Sequence, residues 1–259
     1  MTTQRPASGK AAGGKAAGGK ASGTGSGGES CGAAGSGATG PARRVEVDPE
    51  RIVKWVNGFA DRHGELTWAS KPGSVVLSAA DGATATVEPF VAAGSRDLAG
   101  FGGIEGLGRW AMPPVAVALI LVRRGGYAVG LGQGPELLSH KVGTRYVQSR
   151  TAAGGWSQHR FARRRDNQAD ALVISVIDHA RRVVLASPTG ALVVGGDKSL
   201  VRDVLADPRL SPLVKLPRRE LFDLPDPKLV VLKQALRRGR SVRIRLCEPQ
   251  AAGVIPGPG

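Results

Sequence analysis

Hydrophobic and polar positions follow two different spacings in residues 45–92, and each spacing predicts its own element. Apolar residues recur at helical spacing after Asp48-Pro49-Glu50, a sequence typical of a helix start. Two runs rich in β-forming residues, 74–78 and 84–88, then flank Asp81-Gly82, which predicts a hairpin. We therefore expect a small α+β unit over this stretch.

A second pattern begins after a Gly-rich segment, 93–110, that we interpret as a linker. The run at 115–122 is apolar without interruption, as expected of a strand buried on both faces. Gly125-Gly126 turns the chain towards an antiparallel partner at 127–131, and alternation predicts a further strand at 141–150. Strands thus precede the first long helix of this unit.

The spacing becomes helical again from Ser157, a natural N-cap, and predicts a helix over 158–181. Its apolar stripe is Ala169, Leu172, Val173, Val176, Ile177 and Ala180. Strands at 191–194 and 241–246 and helices at 198–205 and 227–238 complete the pattern. Alternating elements of this kind predict an α/β domain over 111–247.

Both termini lack the residues needed for a core. Residues 1–44 are mostly Gly, Ala and Lys, and we expect a disordered basic tail there. Residues 248–259 are expected to form a loose C-terminus. The chain carries 36 Lys and Arg against 21 Asp and Glu, a net charge of +15, which favours a polyanionic partner such as nucleic acid.

Several other partners are not expected. The longest aliphatic run, 115–122, is too short to span a bilayer, and no signal peptide is visible. Two distant cysteines, Cys31 and Cys247, support neither a disulfide framework nor a metal cluster. The glycine-rich segments do not match a nucleotide-binding loop. We expect a cytoplasmic protein that needs no metal, nucleotide or other cofactor.

The candidate chemistry lies in the loop Gly154-Gly155-Trp156-Ser157-Gln158 and in the helix start that follows it. By itself the loop has an equally good interpretation as a flexible strand-to-helix turn. The residues after the loop favour a functional site, because a turn needs no dense positive charge. These residues are Arg160, Arg163, Arg164 and Arg165. Glutamine does not exchange protons near neutral pH, but its amide can orient a water while backbone N–H groups stabilise an oxyanion. His159 is a candidate general base or, as we prefer, a polar RNA contact.

The string RYVQSRTAAGGWSQHRFARRRDNQA at 145–169 resembles Vms-like release factors in their bacterial peptidyl-tRNA hydrolase branch. The loop and long basic helix also resemble the catalytic domain of eukaryotic and archaeal class-one release factors. The resemblance implies a release-factor-like mixed sheet with flanking helices, related to ribonuclease H. It further implies an enzyme that hydrolyses the ester of peptidyl-tRNA on the large ribosomal subunit, in ribosome-associated quality control.

Carried over position by position, the resemblance makes Gln158 the catalytic glutamine and gives Gly154 and Gly155 the shaping of its loop. Candidate contacts to tRNA or ribosomal RNA are Arg150, Trp156, His159, Arg160, Arg163, Arg164 and Arg165. Class-one factors have glutamine directly after the second glycine, whereas Trp156 and Ser157 intervene here. Trp156 either stacks on an unpaired base or anchors the loop.

Two alternatives stay open from the sequence. One is an endonuclease that cuts tRNA near its 3′ end and frees the peptide with nucleotides attached. The other is a ribosomal RNA-binding protein without catalytic activity, whose glycine-rich loop only fits a groove. The basic tail is equally compatible with all three functions.

Overall fold

The computed structural model describes residues 42–91, 100, 102–112, 115–144 and 157–249, with the backbone alone for residues 157–167. The tail expected over 1–44 therefore lies outside the described residues, apart from its last three. The expected loose C-terminus at 248–259 also lies outside them, apart from its first two residues. Arg43 and Arg44 already belong to the first strand, so the tail ends slightly earlier than expected.

The first unit is a five-stranded antiparallel sheet with helices on one face. Its strands are β1 (Arg43–Val47), β2 (Leu66–Lys71), β3 (Ser74–Ala79), β4 (Thr84–Glu88) and β10 (Val242–Cys247), in the order β1-β10-β4-β3-β2. Its helices are α1 (Ile52–His63) and α2 (Leu107–Ala111). Ile52, Val56 and Phe59 of α1 are buried, which confirms the predicted helical stripe.

The second unit is a mixed sheet with helices on both faces. Its strands are β5 (Val117–Arg123), β6 (Gly126–Gln133), β7 (Glu136–Thr144), β8 (Ala191–Gly196) and β9 (Arg218–Leu221), in the order β7-β6-β5-β8-β9. Its helices are α3 (Ser157–Val183), α4 (Lys198–Leu205), α5 (Ser211–Val214) and α6 (Leu229–Arg240). β5 is parallel to β8 and β8 to β9, while β6 is antiparallel to β5 and β7. The expected fold class, a mixed sheet with flanking helices after a small α+β unit, is confirmed.

The strand register defines two edges of the second sheet. Arg123 at the end of β5 pairs with Gly126 at the start of β6, and Gly126 pairs with Thr144 at the end of β7. β8 and β9 also finish at this level, which we call the upper edge. The opposite, lower edge holds the start of β5, where Val117 pairs with Ala191.

Helix α6 covers one face of the second sheet and packs unusually close to it, because glycines stand where the two surfaces meet. A Cβ added at Gly132 of β6 would lie 2.6 Å from Leu236 of α6, and one at Gly239 of α6 would lie 2.4 Å from Val193 of β8. The other face carries α3 and α4 over a separate apolar core. β5 is buried on both faces, as its uninterrupted apolar run predicts.

Three expectations about element boundaries need correction. The final strand, expected to complete the second unit, is β10 and pairs with β1 and β4 in the first sheet. Residues 103–110 of the expected linker lie in two short helical segments, which end at Ala111 and whose Leu107 and Trp110 are buried in the core of the first unit. The strand predicted at 141–150 begins at Glu136, and residues 145–150 lie outside the described residues.

One further correction concerns Cys247 at the end of β10. The sequence predicted no disulfide, but Cys247 is disulfide-bonded. Cys31, the only other cysteine of the chain, lies outside the described residues.

Two buried arginines join the units where α6 leads into β10. The guanidinium of Arg219 in β9 donates to the carbonyl oxygen of Ser241 at 2.7 Å and lies 4.7 Å from the ring centre of Phe90, which follows β4. Burial, and secondarily the charge of Arg243, lowers the pKa of Arg219 to about 10, so it stays charged at neutral pH. Arg240, 3% exposed, forms a two-pronged ion pair with Glu50.

We expect Arg240→Ala to lower the free energy of unfolding by about 1–3 kcal/mol, because the substitution empties a buried position and leaves Glu50 without its partner. The matched control is Arg237→Ala, whose ion pair with Asp48 involves a 72% exposed arginine. That change should cost less than about 0.5 kcal/mol. Urea unfolding measures both variants, and equal losses would contradict the role given to Arg240.

Candidate functional site

Helix α3 is much longer than the sheet on which it packs. Its 27 residues span roughly 40 Å, whereas the 7 residues of β5 span about 23 Å. The hydroxyl of Ser139 in β7 donates to the carbonyl oxygen of Val183 at 3.1 Å, which fixes the end of α3 towards the lower edge. Because α3 is longer than the strands, its start extends beyond the upper edge.

The C-terminal part of α3 anchors the helix. Leu172, Val176, Ile177 and Ala180 are buried, and Ala169 is partly buried against the same core, so the predicted apolar stripe is confirmed. His179 adds a stacked contact with the ring of Tyr127, at 5.4 Å between ring centres.

The residues around Tyr127 and His179 explain how α3 comes close to β6 and β7. A Cβ added at Gly143 of β7 would lie 2.5 Å from the Tyr127 ring, so this ring occupies the space above the glycine. His179 is shielded from water there, which lowers its pKa, and Arg182 and Lys141 lower it further. A neutral His179 is consistent with a structural role in this ring contact.

The N-terminal part of α3 has a different composition. Residues 157–168 contain four arginines and one aspartate, and Phe161 and Ala162 are their only apolar residues. In the anchored part, Asp178 accepts a hydrogen bond from Arg209 at 3.1 Å. Arg209 also forms a hydrogen-bonded ion pair with Asp207, which lowers the pKa of the Asp207 carboxyl. Positive charge is therefore concentrated at the projecting end of the helix.

Six of the predicted site residues belong to this projecting end of α3. Gln158 is the second residue of α3, one position after the helix begins at Ser157. The backbone of the same helix carries His159, Arg160, Arg163, Arg164 and Arg165, whose side chains lie outside the described part of the chain. Arg150, Gly154, Gly155 and Trp156 lie outside it altogether.

The start of α3 also has properties that do not depend on side chains. The first four backbone N–H groups of a helix have no partner within it, and the helix dipole adds partial positive charge. No acidic side chain occupies the first turn to neutralise it. The backbone around Gln158 therefore favours an anion, such as a phosphate or a developing oxyanion.

The upper edge adds two basic residues that the sequence pattern did not single out. Arg124, in the turn between β5 and β6, and Lys198, at the start of α4, are both exposed at the level from which residues 145–156 lead to α3. Asp197 ties these elements together by accepting from the backbone N–H of Arg124 at 3.2 Å. Ligands of open α/β sheets bind beyond the carboxyl ends of the strands, which is this edge. In the sequence, Arg124 and Lys198 could have been recognised by their positions shortly after the apolar runs of buried strands.

Metal-binding side-chain groups and membrane-spanning helices are both absent from the described residues. These residues contain no group of three or more His, Cys, Asp or Glu side chains placed to hold a metal ion. Nor does any helix within them have the length and apolar composition needed to cross a membrane.

Comparison with protein families identifies the second unit. The model of the Actinobacteria/chloroflexi VLRF1 release factor family matches residues 115–245, just over half of the 259-residue chain. The match runs from β5 into β10 and includes the whole of α3. No curated protein matches the chain significantly.

Two solved structures have a similar arrangement at low sequence identity. One is described as the Vms1 mitochondrial localization core, at 14% identity and a TM-score of 0.40, covering 66% of this chain and 75% of that one. The other is the archaeal translation termination factor aRF1, at 15% identity and a TM-score of 0.34, covering 77% and 65%.

We expect the lowered pKa of His179 to make stability depend on pH. The unfolded state binds the proton more tightly, so the contribution of this residue is present above about pH 6.5 and is lost as the pH falls towards the folded-state pKa. His179→Phe retains a ring against Tyr127 and removes the titration. The wild type should lose more unfolding free energy than this variant between pH 7 and pH 5; equal losses in urea unfolding would refute the assignment.

Proposed function

Because the chain belongs to the Actinobacteria/chloroflexi VLRF1 release factor family, we propose that it hydrolyses peptidyl-tRNA on the large ribosomal subunit. Membership of a release factor family supports a role in translation termination or ribosome quality control. The proposed reaction is hydrolysis of the ester that joins a nascent peptide to the 3′ end of tRNA, in the cytoplasm, with water as the nucleophile.

The single observation that carries the proposal is the position of Gln158 in the first turn of a projecting, cationic helix. The side-chain carbonyl oxygen of a glutamine at that position orients a water by accepting a hydrogen bond from it. Backbone N–H groups of the same turn and of the loop with Gly154 and Gly155 stabilise the oxyanion that forms on the ester carbonyl. Water adds to the carbonyl carbon, the bond from this carbon to the ribose 3′ oxygen breaks, and the proton of the water passes to that oxygen with help from the substrate's ribose hydroxyl. The reaction then needs no side chain that titrates near neutral pH.

RNA binding is assigned to the basic residues around this turn. Arg160, Arg163, Arg164 and Arg165 contact phosphates of tRNA or ribosomal RNA, and Arg150 and His159 add contacts from the loop side. Trp156 stacks on an unpaired base near the end of the tRNA. The negative phosphates offset the mutual repulsion of the arginines, and these contacts hold the ester near Gln158.

We expect Gln158→Ala to slow peptide release by roughly 10²–10³-fold, the scale of one lost oxyanion-stabilising group. The assay uses purified large subunits that carry peptidyl-tRNA. The matched control is Gln133→Ala, an exposed glutamine in the β6–β7 hairpin at the lower edge, which should release peptide at the wild-type rate.

Sequencing the 3′ ends of the product tRNA distinguishes the alternatives. Intact ends indicate ester hydrolysis, whereas truncated ends indicate an endonuclease. Full release activity in the Gln158 variant would refute its catalytic role. Absence of release by the wild-type protein would favour an RNA-binding protein without catalytic activity.

We expect Arg164→Ala to weaken binding of large subunits and to reduce the slope of log affinity against log salt by about 0.7, the value for one single-strand phosphate contact. Arg202→Ala is the control, because Arg202 on α4 is 77% exposed and the same charge is lost. Affinities measured over about a fourfold range of salt concentration, from roughly 50 to 200 mM, test the slope. Identical slopes for the two variants would remove Arg164 from the phosphate contacts.

A further inference from the structure

A second basic surface lies in the first unit, in a cleft between α1 and the end of α6. The cleft has a volume of about 410 Å³, within the usual range of ligand-binding pockets. One face of the α1 region supplies Arg51, Lys54, Trp55, Gly58 and Arg62, which recur at helical spacing, and α6 supplies Arg237.

Most of the positive charge in this cleft is not neutralised. Its two acids, Glu46 and Asp48, are already in ion pairs: Asp48 accepts from Arg237 at 3.2 Å, and Glu46 lies 3.5 Å from Arg243. Within the described residues, Arg51, Lys54 and Arg62 form no ion pair, and all three are exposed. Three adjacent cations without partners favour a ligand that carries several negative charges.

The floor of the cleft is suited to a flat, aromatic group. The ring of Trp55 lines it and is supported from the other side by Phe59, at 5.5 Å between ring centres and 9° between ring planes. Gly58 adjoins Trp55, and a Cβ added there would meet nothing within 4 Å, so this part of the helix surface is open. An aromatic ring beside cations is the combination with which proteins bind single-stranded nucleic acid.

The cleft and the start of α3 belong to different units. Arg237 lies in the last turns of α6, which leads into β10 of the first sheet, and the other residues of the cleft come from β1 and the α1 region. Helix α3 packs on the face of the second sheet opposite to α6. The cleft is therefore a surface separate from the start of α3.

We infer that the cleft between α1 and α6 binds single-stranded RNA, with a base against Trp55 and the neighbouring phosphates on Lys54 and Arg62. It is an RNA contact additional to the one proposed at α3. The inference does not require hydrolytic activity, since it concerns binding alone.

Fluorescence anisotropy with a labelled single-stranded uridine RNA tests the cleft in the full chain. To isolate the cleft, all proteins carry glutamine in place of Arg160, Arg163, Arg164 and Arg165. Lys54→Gln with Arg62→Gln should weaken binding roughly 25-fold at 0.1 M salt and reduce the salt slope by about 1.4, since each lost contact contributes about 0.7. The control, Arg202→Gln with Lys215→Gln, removes the same charge from exposed sites on α4 and after α5.

A second variant separates shape from charge. Gly58→Leu keeps every charge, improves helix propensity and fills the floor of the cleft. It should weaken RNA binding on the order of tenfold if a base stacks there. Ultraviolet crosslinking followed by peptide mass spectrometry should place an RNA adduct on the peptide that contains Trp55.

Three outcomes would overturn the inference. They are equal RNA affinities for the cleft variant and its control, an RNA adduct pattern without the Trp55 peptide, and a loss confined to binding of phosphatidylserine vesicles. The last result would assign the cleft to an anionic membrane surface. Failure of peptide release in the wild type would refute the proposed function and leave these RNA measurements unchanged.

Discussion

The packing of the C-terminal part of α3 on the second sheet determines where the candidate chemistry can lie. Apolar side chains from Ala169 onward are held by the core beneath them, and Ser139 fixes the last turn near the lower edge. Because the helix is longer than the strands, the residues before Ala169 have no sheet to cover. A polar, cationic composition is typical of a helix segment that has no sheet to cover.

The connection from α6 into β10 imposes a second constraint. The chain leaves the first sheet after β4, builds the whole second unit and returns to place β10 between β1 and β4. Arg219 and Arg240 are buried at this return, where their hydrogen bonds and the Glu50 carboxylate compensate the cost of removing two charges from water. The first unit is consequently completed by the last strand of the second, and the cleft beside α1 takes Arg237 from α6.

Local patterns predicted much of the second unit correctly. The buried run of β5, the antiparallel β6 and the apolar stripe of α3 all follow from residues close together in the sequence. The predictions are wrong where an element pairs with or packs on residues that are distant in the sequence. A short alternating strand such as β10 has the same sequence pattern whichever sheet it joins. Its pairing with β1 and β4, in which Ile244 lies opposite Val45 and Val87, shows that it belongs to the first sheet. Leu107 and Trp110 were assigned to a linker because surrounding glycines hid a helix that the first core stabilises.

By itself, the sequence determined the positive charge, the type of most elements, the point on α3 where apolar residues end and the loop with Gln158 that marks the family. Only the tertiary structure decided which side chains meet. It brought Arg124 and Lys198 to the upper edge of the second sheet, and it placed Arg237 of α6 in the cleft beside α1. The physical reason is that periodicity records whether a face is buried, whereas the identity of the surface that buries it depends on pairing between residues far apart in the chain.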